Sequence, residues 1–461
     1  MKSKQYDVVI VGSGLAGMAA AKEFANLGIR YLVVEENRHL GGQLIRKQPG
    51  QPPLDKFQDK VKKAGFQLVD DFAENTNILR NSRILGIFGD QNIYLEDAQG
   101  KTHLIESRFI LLATGGREKF MPFKGWTLPG VISFGGCQVM MKSSGILPGK
   151  NTVIAGGGPL LYVLSGQILR HGGKIPLILD RSSMIDKMKF LKLMPPQWSK
   201  IGQVVQDMST ITRHFTPMHS QHAVVEARGD GQLEEVVYAK LDKHGKFIPD
   251  TEHTVSADSL AIGQGLVANT ELASGAGCDV RYSDQLGGWI VATDSRLKTS
   301  KDSIYAAGEI TGIGGGEQSL REGELAALVI AEQLGHLSDA TETRIKQLQH
   351  FRSSQLGFNK FISELSSVPT PAWEDVADDT VICRCEDITM GDIRKAMELG
   401  LDSVSLLKRG TRIGMGRCQG RTCSPILNDI LTANNLTATS TSVRFPVKPV
   451  NLISLESFSD E

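Results

Sequence analysis

The run Tyr6–Glu36, YDVVIVGSGLAGMAAAKEFANLGIRYLVVEE, constrains the fold more than any other part of the chain. Val8–Val11 are apolar and β-branched and predict a short buried strand. Gly12-Ser-Gly14-Leu-Ala-Gly17 follows without a gap. An Ala-rich helical run, Met18–Leu27, closes at Gly28, and a second buried strand, Tyr31–Val34, ends on Glu35. Strand, glycine turn, helix, strand and acid in this order make a complete βαβ dinucleotide-binding unit. Gly12 permits the tight turn, Gly14 lets the backbone approach a pyrophosphate, and Gly17 lets helix and strand pack closely. The helix N-terminus faces the phosphates with free N–H groups and a positive dipole end. Glu35, 23 residues beyond Gly12, is placed to accept both hydroxyls of a ribose.

Other stretches fit the same cofactor. His39-Leu-Gly41-Gly42-Gln43-Leu44 puts two glycines in a loop suited to lie against it. A helix over Lys56–Ala64 and strands over Phe66–Val69, Ile84–Phe88, Ile93–Glu96 and Lys101–Glu106 are predicted. The buried strand Arg108–Leu112 runs out into Ala113-Thr114-Gly115-Gly116, a second close backbone approach. Far downstream, Ile304–Ala307 leads into Gly308-Glu309-Ile310-Thr311-Gly312 through Gly315-Gly316 and then a long helix, Glu317–Leu334. Strand, acid, glycine loop and helix suggest that Gly308, Glu309 and Gly315 lie beside the ribityl and pyrophosphate groups of a flavin. The helix N-terminus there can stabilise negative charge on a reduced ring.

Between these parts lies a second unit of the same design. After the Pro- and Gly-rich crossing Phe120–Gly130, the strand Asn151–Ala155 leads to Gly156-Gly157-Gly158-Pro159-Leu160-Leu161, a helix and a strand closing on Asp180. Leu161 replaces the third glycine. Its bulk is expected to push helix from strand and loosen a pyrophosphate site, which leaves nicotinamide, another nucleotide or no ligand open. Asp180 keeps a ribose contact available.

Four of the six cysteines fall within 41 residues: Cys383-Arg-Cys385, then Cys418-Gln-Gly-Arg-Thr-Cys423. Thiolates at this density in a reducing compartment bind metal or an iron–sulfur cluster. C-x-C and C-x₄-C pairs favour a [2Fe–2S] cluster, with zinc, which prefers C-x₂-C knuckles, as second choice. Arg384, Lys408, Arg409, Arg412, Arg417 and Arg421 surround the cysteines and would raise the potential of an anionic cluster. Thr389 and Asp392 form a capping pattern for one helix closed by Gly400. Leu401, Val404 and Leu407 suit a second short helix stopped by Gly410, or a strand. Ser424-Pro425 opens a third helix beside Cys423. Cys137 and Cys278 stand alone and read as small buried hydrophobes.

Length and composition set the frame. The chain has 461 residues, 41% hydrophobic and 22% charged, with 51 basic and 51 acidic side chains. That describes a globular protein of roughly three domains, which the two βαβ units make α/β, and gives no charge excess for nucleic acid. No apolar run reaches the ~18–20 residues of a membrane span. With the first strand beginning by residue 8, no room is left for a cleaved signal. The expected location is the cytoplasm, or a peripheral position at the inner face of the membrane. No His, Asp and Glu constellation for abstracting a substrate proton emerges, so the catalytic residues stay unassigned.

The flavin motifs resemble those of glutathione-reductase-like flavoproteins with two dinucleotide-binding domains. That resemblance implies FAD, with its adenosine at Gly12–Glu35 and its ribityl chain near Glu309. The flavin and central domains carry neither the redox C-x₂-C nor the C-x₄-C that disulfide reductases of that group hold beside the flavin. A closer resemblance rests on Leu112-Ala-Thr-Gly-Gly-Arg117-Glu118, Gly125-Trp126-Thr-Leu-Pro129-Gly130-Val131, Gly156–Leu161, Ala306–Glu309 with Gly312–Gly315, Cys383–Glu386, Gly414–Cys423 and the tail Arg444–Val450. These are similar to the large flavoprotein subunits of opine oxidase, hydrogen cyanide synthase and dye-linked proline or hydroxyproline dehydrogenases, with a bacterioferritin-associated-ferredoxin-like [2Fe–2S] domain.

The resemblance implies an electron-transfer subunit of a heteromeric amino-acid or opine dehydrogenase. Its partner would be an amino-acid-oxidase-like β subunit with its own FAD, and its acceptor a quinone or an electron carrier. Some relatives also hold FMN at the subunit interface. The alternative is a self-sufficient NAD(P)H-dependent reductase. The expected domains are a discontinuous FAD domain, 1–120 and 285–355, an inserted second nucleotide-binding-like domain, 121–284, a linker, 356–380, the small helical [2Fe–2S] domain, 381–440, and a tail, 441–461.

Overall fold

Alternating apolar residues on a strand covered from both sides give two cores, one per face, and the first sheet is built on that rule. The computed structural model describes residues 4–46, 59–89, 91–183, 198–336, 338–366, 373–437, 439–440, 443–452 and 454. Strands β1 (Lys4–Val11), β2 (Tyr31–Val34), β3 (Ile78–Leu79), β4 (Arg83–Phe88), β5 (Asn92–Glu96) and β6 (Thr102–Leu112) lie in the order β3-β2-β1-β6-β5-β4, and Ile304–Ala306 joins β6 as a seventh strand. Val8 and Ile10 face one core with Met18, Phe24 and Val329. Val9 and Val11 face the other with Ile93, Leu112 and Val291. Helix α1 (Leu15–Asn26) and the helix Gly315–Gln333 cover the first face. They pack tightly enough that a Cβ on Gly323 would lie 2.1 Å from the Ala16 carbonyl oxygen.

Two sequence expectations are corrected here. Lys101–Glu106 and Arg108–Leu112 are not separate strands but one, β6. It pairs antiparallel with β5 through its first half (Ile105 with Ile93) and parallel with Ile304–Ala306 through its second (Ile110 with Ile304). Phe66–Val69 is not a strand. It belongs to helix α2 (Lys60–Asp71), capped by Asp59 accepting from the Lys62 N–H at 2.8 Å. The buried positions of α2, Lys62, Gly65 and Leu68, recur at three-residue spacing. That helical period outweighs the local β propensity of Phe66–Val69. Residues 56–58 of the expected helix lie outside the described residues.

The second unit forms a five-stranded parallel sheet from 131–133, 152–156, 178–180, 218–220 and 259–263, with 152–156 in the middle. A three-stranded antiparallel sheet, 222–228, 235–240 and 253–256, packs beside it. A helix the sequence did not announce, Trp198–Arg213, covers the unit. The chain crosses between the two dinucleotide folds as a two-stranded ribbon, Gly116–Glu118 with Leu266–Ala268.

The helix Asp339–Ser366 runs on into the stretch expected to be linker. Beyond it, a small helical module packs Trp373, Ile382, Ile393, Leu407, Ile426 and Leu431 around two cysteines. Its first helix, Met390–Glu398, carries the full capping box of Thr389 and Asp392. The second, Val404–Thr411, resolves the helix-or-strand ambiguity and runs one residue past Gly410. There the side chain of Leu401 leaves no room for a Cβ, which would meet it at 2.3 Å. The third helix, Cys423–Ala433, begins at a cysteine. The tail then returns to the first sheet: the Val447 N–H donates to the Leu85 carbonyl at 2.8 Å, Phe445 packs on Phe88 and Tyr94, and Lys448 pairs with Glu36. Among the described residues no helix is long and apolar enough to cross a membrane.

Candidate functional site

The first glycine turn has the geometry its sequence predicts. Gly12 sits at φ +104, and a Cβ there would come within 2.5 Å of the Ala113 carbonyl oxygen. A Cβ on Gly17 would lie 2.0 Å from the Gly12 carbonyl oxygen. Gly14 differs: a Cβ there meets no protein atom within 4 Å. Gly12 and Gly17 are therefore packing residues, while Gly14 bares the N-terminus of α1, where the first-turn N–H groups have no intrahelical acceptor. The 39–44 loop closes on the same spot, because a Cβ on Gly42 would lie 3.0 Å from Gly14 Cα. Lys142 donates to the carbonyls of Gln43 (3.0 Å) and Leu44 (3.3 Å), and the Gln43 side chain itself is exposed.

Glu35 is buried, and all its acceptor positions are engaged. One oxygen accepts from the Ser13 N–H at 2.9 Å and the Ser13 hydroxyl at 2.6 Å. The other accepts from the Asn37 N–H at 2.8 Å and side-chain amide at 2.7 Å. A carboxylate offers about four lone-pair sites, so a ribose hydroxyl must displace one of the two side-chain donors. Neither Ser13 nor Asn37 stood out in the sequence.

Across the sheet, Gly308 and Glu309 leave the strand Ile304–Ala306. Desolvation pushes the Glu309 carboxyl up, opposed by the Gly315 N–H that it accepts. The loop is held from below by Glu322, 1% exposed. Glu322 accepts from the Gly308 N–H (2.9 Å), the Thr311 hydroxyl (2.8 Å), the Gln318 amide (3.1 Å) and Arg352 Nε (2.9 Å). Asn359 in turn donates to Gln318. Sequence reading missed this acid because mid-helix glutamate ordinarily faces solvent.

In the second unit, Gly156 lies under the Gly263 carbonyl and the Phe134 ring, with a Cβ held to 2.3 and 3.0 Å. Leu161 is fully buried among Phe134, Ile154, Leu164 and Ala261. Asp180 accepts from the Tyr162 hydroxyl at 2.5 Å, and from the Ser182 N–H (2.9 Å) and hydroxyl (2.6 Å). Burial and the Asp180 charge push the Tyr162 phenol up, so it stays a donor. The expected ribose acid is thus already hydrogen-bonded to a tyrosine and a serine, as Glu35 is to Ser13 and Asn37.

The four clustered cysteines come together as two pairs. Cys383 and Cys423 are buried, while Cys418 is half-buried and Cys385 exposed. Cys423 donates its S–H to Cys383, holding that thiol down at about 5, with help from the N–H groups of Gly414, Cys385 and Glu386. The same contact, with burial, pushes Cys423 up. Burial opposes ionisation of Cys418, but the Thr422 N–H, the Cys385 thiol and the Gly420 N–H outweigh it and hold Cys418 down. Among the described residues no three His, Cys, Asp or Glu side chains converge as one metal ion requires. Two thiol pairs match a two-iron cluster, in which each iron takes two thiolates. Backbone N–H groups aimed at sulfur favour the more negative redox state. Cys137 and Cys278 are buried and apart, and burial beside Glu118 pushes Cys137 up to about 12.

Arg117 joins the two sites. It donates to Asn269 Oδ1 at 2.7 Å, pairs with Glu271 at 2.7 Å and donates to the Arg421 carbonyl at 3.0 Å, between Cys418 and Cys423. Thr114, on the loop leaving β6, donates to the Asn269 carbonyl at 2.8 Å. Lys119 pairs with Asp429 at 2.6 Å, the Trp126 indole donates to the Val381 carbonyl at 2.7 Å, and Arg384 stacks over the Trp126 ring. A cavity of about 830 Å³ lies between the three parts, walled by Gly314 and Gly315, by Gly157–Pro159, and by Ser424 and Pro425.

Residues 6–335 match the family model described as pyridine nucleotide-disulphide oxidoreductase, and residues 381–433 match the BFD-like [2Fe-2S] binding domain. The chain is 30% identical to an opine oxidase subunit of Agrobacterium tumefaciens (strain Ach5), over 98% of this chain and 91% of that one. It is 32% identical to the hydrogen cyanide synthase subunit HcnB of Pseudomonas aeruginosa, over 98% and 99%. The crystal structure of L-proline dehydrogenase from P. horikoshii superposes with a TM-score of 0.69 at 20% identity, over 99% of this chain and 80% of that one. The last likeness shows the fold alone.

Proposed function

The chain belongs to the pyridine nucleotide-disulphide oxidoreductase family, in one group with opine oxidase and hydrogen cyanide synthase subunits, and from that premise we propose that it relays electrons inside a heteromeric amino-acid or opine dehydrogenase. It is a flavin-dependent oxidoreductase subunit with a BFD-like iron–sulfur domain. The flavin would accept an electron pair and the cluster would pass electrons on singly. Substrate oxidation itself takes place on a partner subunit with its own FAD.

FAD is held by Gly12, Gly14 and Gly17 at the turn, by Glu35 at the ribose, by Gly42 and Gln43 on the closing loop, by Thr114 and Gly115, and by Gly308, Glu309 and Gly315. Cys383, Cys385, Cys418 and Cys423 hold the cluster. The observation that carries the relay is the Thr114–Asn269–Arg117–Arg421 chain of hydrogen bonds. It fixes the cysteine module against the loop that leaves the flavin strand. Tunnelling needs such a fixed separation, and the contacts of Arg117 supply it.

The self-sufficient reductase makes the opposite prediction. The second unit has Leu161, fully buried, in place of its third glycine, and the Tyr162 or Ser182 hydroxyl must give way before Asp180 can take a ribose, so NADH is expected to bind poorly. The isolated chain is therefore expected to keep its flavin oxidised under NADH, while the co-purified complex bleaches with an amino acid or opine. Rapid bleaching of the isolated chain by NADH overturns the relay. Acid extraction of the complex reads FAD alone or FAD with FMN.

The two cysteine pairs should respond differently to substitution. Cys385→Ser is expected to abolish the visible iron–sulfur absorption. In the iron-free protein it should leave the unfolding midpoint near that of the parent, because Cys385 is exposed. Cys383→Ser should lose the absorption too. It should also cost about 1–3 kcal/mol in the iron-free protein, the penalty of a hydroxyl at a buried site. Urea unfolding of both variants checks this.

A further inference from the structure

We propose that the exposed rim around Cys385 is the docking face for an acidic one-electron carrier protein, the acceptor of the relay. This rests on the relay reading and names its exit. The two cysteine pairs are not equivalent: Cys383 and Cys423 are buried, whereas Cys385 is exposed and Cys418 half-buried. One edge of the site therefore meets the surface, and that edge is ringed by cations. From Ser403 to Cys423 the chain carries Lys408, Arg409, Arg412, Arg417 and Arg421 and no carboxylate. Arg421 points inward, donating to the carbonyls of Cys418 (3.1 Å) and Val447 (2.8 Å). Arg409, Arg412 and Arg417 are exposed.

Their position is fixed by contacts. A Cβ on Gly416 would lie 2.2 Å from Cys385 Cβ, so the backbone between Met415 and Arg417 lies directly against that cysteine. Arg412 donates to Glu386 at 2.8 Å, and that carboxylate lies against the same backbone, 3.3 Å from a Cβ placed on Gly416. Arg384 is laid over the Trp126 ring. Met415, 38% exposed, adds an apolar point next to Gly416.

A small apolar centre inside a charged rim suits a transient redox encounter. Such interfaces are small, and charge complementarity supplies the association rate rather than the affinity. A surface whose purpose was only to tune a cluster would turn its cations inward, as Arg421 is turned. Arg409 and Arg417, exposed and outside the Arg412–Glu386 pair, project a field into solvent that attracts an acidic partner. The carboxylates Glu386 and Asp387 interrupt the rim on one side. That mixed pattern favours a shaped protein surface over a uniformly anionic lipid surface. One electron crosses per encounter and the carrier is the oxidant; no heavy-atom bond forms or breaks, and a flavodoxin acceptor takes one proton from solvent with that electron.

The test uses the full chain, holding its cofactors and reduced with dithionite, so that it does not depend on how electrons enter. An acidic flavodoxin serves as probe. Binding by titration calorimetry and reoxidation by stopped flow are followed as ionic strength rises from ~0.01 to ~0.1 M, over which the Debye length falls from about 30 to about 10 Å. Both association and reoxidation rate are expected to fall at least tenfold. Arg409→Glu with Arg417→Glu should remove binding at low salt, whereas Arg409→Lys with Arg417→Lys should keep it. Reoxidation by a small neutral quinone should stay within about twofold in the glutamate variant.

Flavodoxin binding that ignores salt, or survives the glutamate pair, overturns the proposal. So does equal binding of anionic phosphatidylserine vesicles, or loss of the heteromer in the glutamate variant, which would assign the face to a membrane or to the partner subunit. Failure of the relay itself would show separately, as a chain reduced rapidly by NADH.

Discussion

Gly17→Ala is expected to give a chain that retains no flavin and unfolds at lower temperature. By propensity alone the change should help, since alanine is favoured over glycine in a helix by about 1 kcal/mol. The new methyl, however, would lie 2.0 Å from the Gly12 carbonyl oxygen and 3.3 Å from the Ile10 side chain. The nearer obstacle is backbone and cannot swing aside, so α1 must move off β1. Overpacking of this kind costs about 1–3 kcal/mol, and it shifts the α1 N-terminus away from the pyrophosphate. Gly14→Ala is the control, because its methyl meets nothing within 4 Å. That variant should unfold like the parent and lose flavin only. Flavin absorbance and thermal unfolding, read together, separate the two. A Gly17→Ala chain with full flavin and an unchanged midpoint would show that the close approach is dispensable.

Glu322→Ala should destabilise the chain by about 3–5 kcal/mol, the usual cost of removing one partner of a buried ion pair. Arg352, its side chain only 12% exposed, would lose its carboxylate partner, and the Gly308 N–H and Thr311 hydroxyl would lose their acceptor. Against a total stability of ~5–15 kcal/mol, that is a large fraction. Glu322→Gln keeps one carbonyl acceptor and should cost distinctly less. Urea unfolding orders the parent, the Gln and the Ala variants. Equal midpoints for Ala and Gln would mean that the charge, and not the accepted hydrogen bonds, does the stabilising.

The parts legible in the sequence were those where chemistry and chain order coincide. Gly17 and the capping box of Thr389 and Asp392 act on neighbours a few residues away, so spacing alone reveals them, while Gly12 was legible by its turn although the backbone it meets is that of Ala113. The cysteine module was legible because thiols at that density have few other uses. What escaped depends on long-range partners. Glu322 looks like a helix-surface acid until Gly308 and Arg352 close on it. Asp180 looks like an unengaged acid until Tyr162, on the neighbouring helix, and Ser182 are found bonded to it. Arg117 appeared only as part of a family motif, and its contact with Arg421 spans most of the chain. Phe66–Val69 misled because a short apolar run does not declare its period. Asp59, a helix cap standing three residues before Lys62, was the signal that could have corrected it.

The forked strand β6 has a consequence for how the protein is made. Its second half finds its outer neighbour only when Ile304–Ala306 has been synthesised, 192 residues after Leu112. At about 5–20 residues per second, the ribosome takes roughly 10–40 s to supply that strand. Through that interval a nascent chain carries an apolar β edge with no neighbour, and such an edge templates wrong pairing. Fragments that stop before Ile304 keep the edge for good, so the complete βαβ unit at the N-terminus is not a separable piece. The domain that begins first is among the last to close.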